Sequence, residues 1–302
     1  MTLLAVPNVS EGRDATALDA FAAAFRRVPG VHLLDVHTDF DHHRSVFSVA
    51  GAPGTLAEAL LAGAEEAVRR IDVSLHAGAH PRVGAIDVAP VVYLDEADRG
   101  AACAEALVAA ELLSARLDLP VFLYGILAGG RTRAELRRGG PRELARRIAA
   151  GELAPDYGPP RLHPTAGAVL VGARPPLLAF NVELAPPASL EQARAVAALI
   201  REGGTEGLPG VRAIGLHLAR QDIVQVSTNV EDHRLVSAAD VVAAVRRHVG
   251  VQAAELVALA PAAAFADFPA DVPLRDFRPG EQIIERALDS LPHVTDPSQA
   301  SL

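Results

Sequence analysis

The sequence predicts an α/β (α+β) fold made of two tandem ferredoxin-like sandwich subdomains with a cleft or tunnel between them. Three observations support this prediction. A chain of 302 residues is long enough for about two domains, the element order β-α-β-β-α-β occurs twice, and the segment Arg174-Pro175-Pro176 separates the two occurrences. We therefore expect an N-terminal subdomain over residues 1–176 and a C-terminal one over 177–302, with a flexible tail over 289–302.

The N-terminal half alternates between strand and helix patterns. Apolar residues recur at helical spacing in its first helix, for example Leu18, Phe21 and Phe25, and that helix ends before Pro29-Gly30. Strands are expected over residues 3–9, 31–36, 44–50, 83–93 and 121–124, with helices over 18–25, 56–71 and 103–117. A helix near 133–150 and a strand near 168–173 extend the unit.

The C-terminal half repeats the order of elements but not the sequence. Two apolar segments flank the polar residues 219–222 and predict a hairpin of strands 211–218 and 223–230. The other predicted elements are strands 178–184 and 252–259 and helices 190–200, 241–249 and 281–288.

Composition narrows the chemistry. The net charge is −9, which argues against a nucleic-acid surface. All 28 basic residues are arginine, which excludes a lysine Schiff base and a phosphate-binding loop of the G-x-x-x-x-G-K type. Because the planar guanidinium matches carboxylates, we expect an anionic small molecule as ligand.

The chain shows no signal for export or membrane insertion. No apolar run reaches the roughly 18 residues that a membrane span needs, and the N-terminus lacks the features of a signal peptide. We therefore expect a cytoplasmic protein without a membrane partner. The single cysteine, Cys103, rules out a disulfide within the chain, and its place in a helical pattern predicts a buried small residue.

The segment from His76 to Pro90 is the strongest site candidate. Gly78, Pro81 and Gly84 prevent a regular helix, and the resulting loop leads into an apolar strand, a common way to build a site. We select His80 as the candidate acid–base residue, because an imidazole titrates near neutral pH. A surface or structural histidine is the alternative. His76 and His80 have the four-residue spacing of helical zinc ligands, but the broken backbone disfavours a metal site.

Several other polar segments have two interpretations. Residues 37–44 form either a solvated turn or a site for a metal or polar substrate. The arginines between 137 and 147 predict a solvated helix face with ion pairs. The loop over 151–167 is long enough to suggest an ordered binding loop. Residues 225–229 offer neutral donors and acceptors, or simply end a strand in polar residues.

The ordered motifs of the chain resemble the formiminotransferase family. The matching segments are P-N-V-S-E-G (7–12), L-L-D-V (33–36) with Arg44, H-A-G-A-H-P-R-V-G-A-I-D-V (76–88), L-P-V-F-L-Y-G (119–125), P-D-Y-G-P (155–159), V-G-A-R (171–174), A-F-N-V (179–182), Q-V-S-T-N (225–229) and I-I-E (283–285). The resemblance implies transfer of a formimino group from N-formimino-L-glutamate to N5 of tetrahydrofolate, the co-substrate, in histidine degradation and one-carbon metabolism. It also implies a homodimer, no metal, and a monofunctional enzyme without a cyclodeaminase region.

The resemblance also assigns residues. His80, in the family's H-P-R motif, becomes the general acid/base. Arg44 and Arg82 become candidates for binding carboxylates, and Asp87 for orienting His80. The expected substrate-binding residues are Asn8, His37, Asp39, Arg44, Arg82, Asp87, Gln225 and Asn229. The expected folate-binding residues are Gly158, Pro159, Pro160, Arg161, Leu162, His163, Pro164, Thr165, Ala166 and Gly167.

Three alternatives remain open from the sequence. The first alternative is a related folate enzyme that uses formiminoglycine as donor or cyclises 5-formyltetrahydrofolate. The second is a non-catalytic folate or amino-acid sensor, because fold does not fix function. The third is a metallohydrolase that uses His37, Asp39, His42 and His80.

Overall fold

Two β-sheets, one from each half of the chain, organise the fold, and the computed structural model describes residues 1–76 and 81–291. The first half contains β1 (Leu3–Ala5), β2 (Asn8–Val9), α1 (Ala15–Arg26), β3 (His32–Asp39), β4 (Arg44–Gly51), α2 (Leu56–Arg70), β5 (Ile86–Val92), α3 (Arg99–Leu117), β6 (Val121–Gly125), α4 (Arg133–Arg137), α5 (Gly140–Ala149) and β7 (Val169–Arg174). The second half contains β8 (Leu178–Leu184), α6 (Leu190–Ile200), β9 (Val211–Leu218), β10 (Ile223–Val230), α7 (Ala238–Arg246), β11 (Val251–Val257), β12 (Leu274–Arg275), α8 (Pro279–Gln282) and α9 (Ile284–Asp289).

The two sheets share one strand arrangement. The first has the order β3-β4-β1/β2-β5-β7-β6, in which β1 and β2 pair antiparallel with both β4 and β5, and β5, β7 and β6 run parallel. The second has the order β12-β11-β8-β10-β9. In the first sheet, β1/β2 lies between β4 and β5, and in the second sheet β8 lies between β10 and β11. In both β-α-β-β-α-β units the first strand thus lies between the third and the fourth strand of the unit, which is the ferredoxin-like arrangement. The predicted fold class is confirmed.

Each sheet has a helix-covered face that forms a hydrophobic core. Helices α1, α2 and α3 cover the first sheet, with Phe21, Phe47 and Leu60 fully buried. Helices α6 and α7 cover the second sheet around Phe180 and Val241. The spacing of apolar residues in the sequence therefore identified the faces that bury these side chains.

The opposite faces of the two sheets pack against each other. Leu4 and Val92 of the first sheet meet Leu259 and Ile284 of the second half in one buried cluster. A second cluster contains Val46, Val257 and Ala258. Helices α4 and α5 cover the remaining part of this face of the first sheet, through Leu136, Leu144 and Ile148. The polar residues of both sheets therefore meet in the gap that these contacts leave.

The structure differs from the prediction in several places, and the strand expected over residues 3–9 is divided into β1 and β2. The helix expected over 133–150 is divided into α4 and α5, because Gly139 and Gly140 both adopt positive φ, 73° and 69°. The strand expected from 83 begins at Ile86, and the helix expected over 281–288 is divided into α8 and α9. Cys103 is half-buried rather than buried.

No helix in the described ranges is long and apolar enough to span a membrane.

Candidate active site

A cavity of about 610 Å³ lies between the two sheets. Side chains from β3, β4 and α4 form one wall, and residues from β8, β9 and β10 form the other. Of the predicted site residues, His37, Asp39, Arg44 and Asn229 line it, as does Pro81, the residue that follows His80. His80 itself lies outside the described residues.

The cavity wall is rich in arginine. Arg44, Arg133, Arg137 and Arg138 come from the first half of the chain, and Arg201 and Arg212 from the second. Arg212 is neutralised by Glu202 at 3.1 Å and Glu231 at 3.4 Å. Burial lowers the pKa of Arg44 to about 10, and the nearby charge of Arg137 adds to this effect. Four of these six arginines therefore lie on the wall from the first half of the chain.

Asp39 and His42 form a buried hydrogen-bonded pair in the same wall. The Nδ1 atom of His42 lies 2.6 Å from one carboxylate oxygen of Asp39, and the backbone N–H of His42 donates to the other at 2.7 Å. Burial on its own raises the pKa of Asp39, but the hydrogen bonds and charge of His42 outweigh it and lower that pKa below its ordinary value. The ionised carboxylate thus fixes the orientation of the imidazole.

His37 lies opposite polar residues of the second sheet. Its Nε2 atom is 3.9 Å from Glu255, and Glu255 accepts a hydrogen bond from the Asn181 side chain at 2.8 Å. Burial lowers the pKa of His37, despite the neighbouring carboxylates of Glu255 and Asp35. His37 is therefore predominantly neutral at pH 7 and able to accept a hydrogen bond.

Asp87 is buried beneath the cavity wall rather than in it, with about 1% of its surface exposed. One carboxylate oxygen accepts the backbone N–H of Val83 at 2.7 Å, and the other forms an ion pair with Arg137. Asp87 therefore holds both the segment after His80 and an arginine of the cavity wall.

The described part of the His76–Pro90 segment contacts the β3–β4 turn, residues 40–43. Arg82 contacts the ring of His76 and donates a hydrogen bond to the carbonyl of His42 at 3.3 Å. The His76 ring lies on the ring of His43, with centroids 4.0 Å apart. Arg82 therefore connects this segment to the cavity wall without being a lining residue.

The P-N-V-S-E-G motif holds these two loops together. The hydroxyl of Ser10 donates to the carbonyl of Gly84 at 2.7 Å. Gly12 lies so close to the ends of β3 and β4 that a Cβ atom there would be 2.3 Å from the carbonyl oxygen of Asp39 and 2.7 Å from the amide nitrogen of Arg44. Only glycine fits this approach, which explains the motif physically.

The predicted folate loop, residues 158–167, packs beside residues 83–85 and not in the cavity wall. The N–H of Ala85 donates to the carbonyl of Ala166 at 2.8 Å, and Gly84 pairs with Gly167 in an isolated bridge. The ring of His163 accepts the N–H of Ala166 at 3.0 Å. The outer end of the loop is exposed, and Arg161 there forms an ion pair with Asp118. The loop is thus an ordered neighbour of the segment that carries His80.

Two further predicted residues lie at different depths. Asn8 borders a smaller cavity next to the main one. Gln225 is fully buried on β10, opposite Glu183 of β8, and does not line either cavity. The polar sequence of residues 225–229 therefore did not predict that Asn229 lines the cavity and Gln225 does not.

The arginine run was only partly predicted. Arg146 is exposed on α5 and pairs with Glu143 at 2.8 Å, as a solvated helix face requires, whereas Arg147 is half-buried and donates to the backbone carbonyl of Glu135 on α4 at 2.9 Å. The interpretation is wrong for Arg137 and Arg138, which line the cavity together with Arg133. The available signal was the four-residue spacing of Arg133 and Arg137, which places both on one face of a helix.

Within residues 1–76 and 81–291, no group of three His, Cys, Asp or Glu side chains is arranged to hold a metal ion. The metal set proposed from the sequence includes His80 and extends beyond that part of the chain.

Comparison with known proteins adds to this geometry. The family model described as "Formiminotransferase domain, N-terminal subdomain" matches residues 2–174, and "Formiminotransferase domain" matches residues 179–270. The chain is 35% identical over 292 residues to glutamate formimidoyltransferase of Streptococcus pyogenes serotype M1, covering 94% of this chain and 97% of the relative. It is 32% identical to glutamate formimidoyltransferase of Thermoplasma acidophilum, with 76% of each chain covered.

The chain also matches longer relatives. It is 39% identical to formimidoyltransferase-cyclodeaminase of Sus scrofa over 75% of this chain, but only 43% of that relative is covered. The match to the first family model alone extends over more than half of the sequence. With two family models matching in order, and relatives above 30% identity along most of its length, this chain belongs to the formiminotransferase family.

Proposed function

We propose that the protein transfers the formimino group of N-formimino-L-glutamate to N5 of tetrahydrofolate, giving 5-formiminotetrahydrofolate and L-glutamate. Family membership and the relative named glutamate formimidoyltransferase support this proposal. The observation that carries it is the arginine-rich cavity between the two sheets. Pro81, the residue that follows His80 in the sequence, lines this cavity. Such a cavity suits two anionic substrates that must meet away from bulk water.

The chemistry requires two proton transfers. The lone pair of N5 attacks the formimino carbon, and the C=N π electrons move to the imino nitrogen in a tetrahedral adduct. When those electrons return, the bond from this carbon to the glutamate nitrogen breaks and its electron pair goes to that nitrogen. N5 loses one proton and the glutamate nitrogen gains one.

His80 is the proposed general acid/base for both transfers, because an imidazole accepts and returns a proton near neutral pH. Arg44 and Arg82 are proposed to bind substrate carboxylates, and residues 158–167 to bind the pterin. The packing of that loop against residues 83–85 supports this arrangement, since it lies beside the segment of His80. Asp87 is assigned a positioning role through its bonds to Val83 and Arg137.

The proposal includes two subdomains, over residues 1–176 and 177–302, with the substrates between them. The change from the first sheet to the second between Arg174 and Leu178 supports this division. It also includes a homodimer, on the basis of the family resemblance, and a location in the cytoplasm, as expected from the sequence. Light scattering of the purified protein tests the dimer, and fractionation of the source cells tests the location.

The test is a turnover assay with tetrahydrofolate and formiminoglutamate, following the pterin spectrum. We expect turnover by the wild type and a loss of roughly 10²- to 10⁴-fold in kcat for His80→Gln, because one positioned acid–base group contributes this much. The matched control is His217→Gln. Its ring pairs with Asp222 at 3.0 Å on the exposed β9–β10 hairpin, and we expect unchanged turnover.

Other donors separate the related activities. Faster turnover with formiminoglycine, or cyclisation of 5-formyltetrahydrofolate, would replace the proposed donor or reaction. Folate binding that persists in both His80→Gln and wild type without any turnover would indicate a sensor instead.

A further inference from the structure

A small inner chamber of about 70 Å³ adjoins the main cavity. The two spaces share lining residues from both sheets, among them Arg44, Arg137 and Asn229, so that the chamber is a continuation of the cavity. This volume accommodates a few water molecules or one carboxylate group.

The chamber has an unusual charge. Four arginines line it: Arg44, Arg133, Arg137 and Arg174. No Asp or Glu is found among its lining residues within the part of the chain that the structure describes, and its other polar groups are those of Asn8, Ser48 and Asn229. In the main cavity, by contrast, Asp39, Glu202 and Glu231 lie among the arginines.

The arginines of the chamber repel one another. Burial lowers the pKa of Arg174 to about 10, and the charge of Arg133 contributes to this decrease. Burial and the charge of Arg137 do the same for Arg44. Arg137 is paired with Asp87. Arg174 donates to the backbone carbonyl of Pro175 at 3.0 Å, and the interactions with Tyr124 and with the charge of Glu231 only partly offset the effect of burial on its pKa. Buried like charges are costly unless an opposite charge accompanies them.

The remaining surface of the chamber is apolar. Leu4, Val92, Leu259 and Ile284 contribute to it from both halves of the chain. In such surroundings a charge-assisted hydrogen bond is stronger than in water, and bulk solvent is excluded. A planar anion between guanidinium groups and an apolar wall matches this geometry.

We propose that the inner chamber is a carboxylate subsite that binds one carboxylate group of the amino-acid donor, while the rest of the donor extends into the main cavity. The assignment to the donor rests on the proposed function. The carboxylate chemistry rests only on the four arginines and the apolar wall. Arg174, which no motif had assigned to substrate binding, becomes a substrate-binding residue.

The test is calorimetric titration of the purified protein with L-glutamate, the proposed product, in a low-salt buffer without small anions. We expect Arg174→Met to weaken glutamate binding at least tenfold. The matched control is Arg246→Met, which removes an exposed arginine that pairs with Asp271 at 2.6 Å, and should bind glutamate like the wild type. An affinity of folded Arg174→Met within twofold of the wild type overturns the proposal.

Thermal unfolding of the wild type gives a second measurement that needs no variant. Formate, a single carboxylate, should raise the Tm, because a ligand that binds only the folded state stabilises it. Formate should also compete with glutamate. The Tm of Arg174→Met should be at least as high as that of the wild type without ligand, since a repelled buried cation is removed, and should not respond to formate. No effect of formate on the wild-type Tm overturns the proposal.

Further ligands identify the source of the anion. Both 4-aminobutyrate and L-glutamine lack one carboxylate of glutamate, and one of them should lose most of the affinity. Binding of formate and sulfate without any glutamate binding overturns the assignment to the donor. Glutamate binding that depends on Arg174, without turnover of formiminoglutamate, supports the subsite and refutes the proposed reaction. Turnover with an unchanged donor KM in Arg174→Met refutes the subsite alone.

Discussion

Replacing Gly84 by alanine should strain the contact between the segment after His80 and the loop over residues 158–167. A Cβ atom at Gly84 would lie 1.8 Å from the carbonyl oxygen of Ala168 and 2.9 Å from that of Ala166. Both neighbours are backbone atoms, so no side chain can rotate away. Because such atoms are ordinarily about 3.5 Å apart in contact, either the segment at Gly84 or the segment at Ala166–Ala168 must move by more than 1 Å.

The magnitude follows from the bonds at this contact. Overpacking of a tight site costs about 1–3 kcal/mol. The displacement also weakens two backbone hydrogen bonds, from Ala85 to Ala166 at 2.8 Å and from Ala168 to Val83 at 3.0 Å, each worth about 0.5–1.5 kcal/mol. We expect Gly84→Ala to lower the free energy of unfolding by roughly 2–6 kcal/mol, a large part of the usual 5–15 kcal/mol.

Urea unfolding followed by circular dichroism measures this loss. The matched control is Gly100→Ala on α3, where a Cβ atom meets nothing within 4 Å. Alanine there should raise the free energy of unfolding by about 0.5–1 kcal/mol, because it has less backbone freedom to lose. If Gly84→Ala unfolds within about 0.5 kcal/mol of the wild type, the typical range of neutral substitutions, the steric reasoning is refuted.

Two further predictions concern buried carboxylates. Asp87→Ala leaves Arg137 without its partner and Val83 N–H without its acceptor, and should lower the free energy of unfolding by about 3–5 kcal/mol in urea; an effect below about 1 kcal/mol would contradict this. For Asp39, His42 holds the folded-state pKa below the ordinary value of 3.8. Ionised Asp39 therefore stabilises the fold above pH 3.8. This stabilisation is lost as the pH falls through the lower folded-state pKa. Asp39→Asn should therefore lose about 1.5–3 kcal/mol at pH 7 and show a shallower acid decline, measured by urea midpoints from pH 7 to pH 2; parallel declines would contradict it.

The sequence determined the order of elements and the buried side of most of them. Apolar residues at helical spacing placed Phe21 and Phe25 in the core, and the polar residues 219–222 placed the β9–β10 hairpin. These features depend on neighbours in the chain, and local periodicity therefore reports them. The glycines of the motifs likewise mark close backbone contacts, as at Gly12 and Gly84.

Only the tertiary structure decided which polar side chains meet. Glu105 interrupts an apolar helix in the sequence, yet its carboxylate accepts the N–H groups of Gly54 and Ala57, each at 2.6 Å, at the start of α2. Arg137 and Arg146 belong to one arginine run, but one lies in the cavity wall and the other faces solvent. Periodicity shows that a face is polar, not what lies opposite it. The packing of the two sheets, formed by contacts far apart in sequence, gathers the arginines around the cavity and the inner chamber.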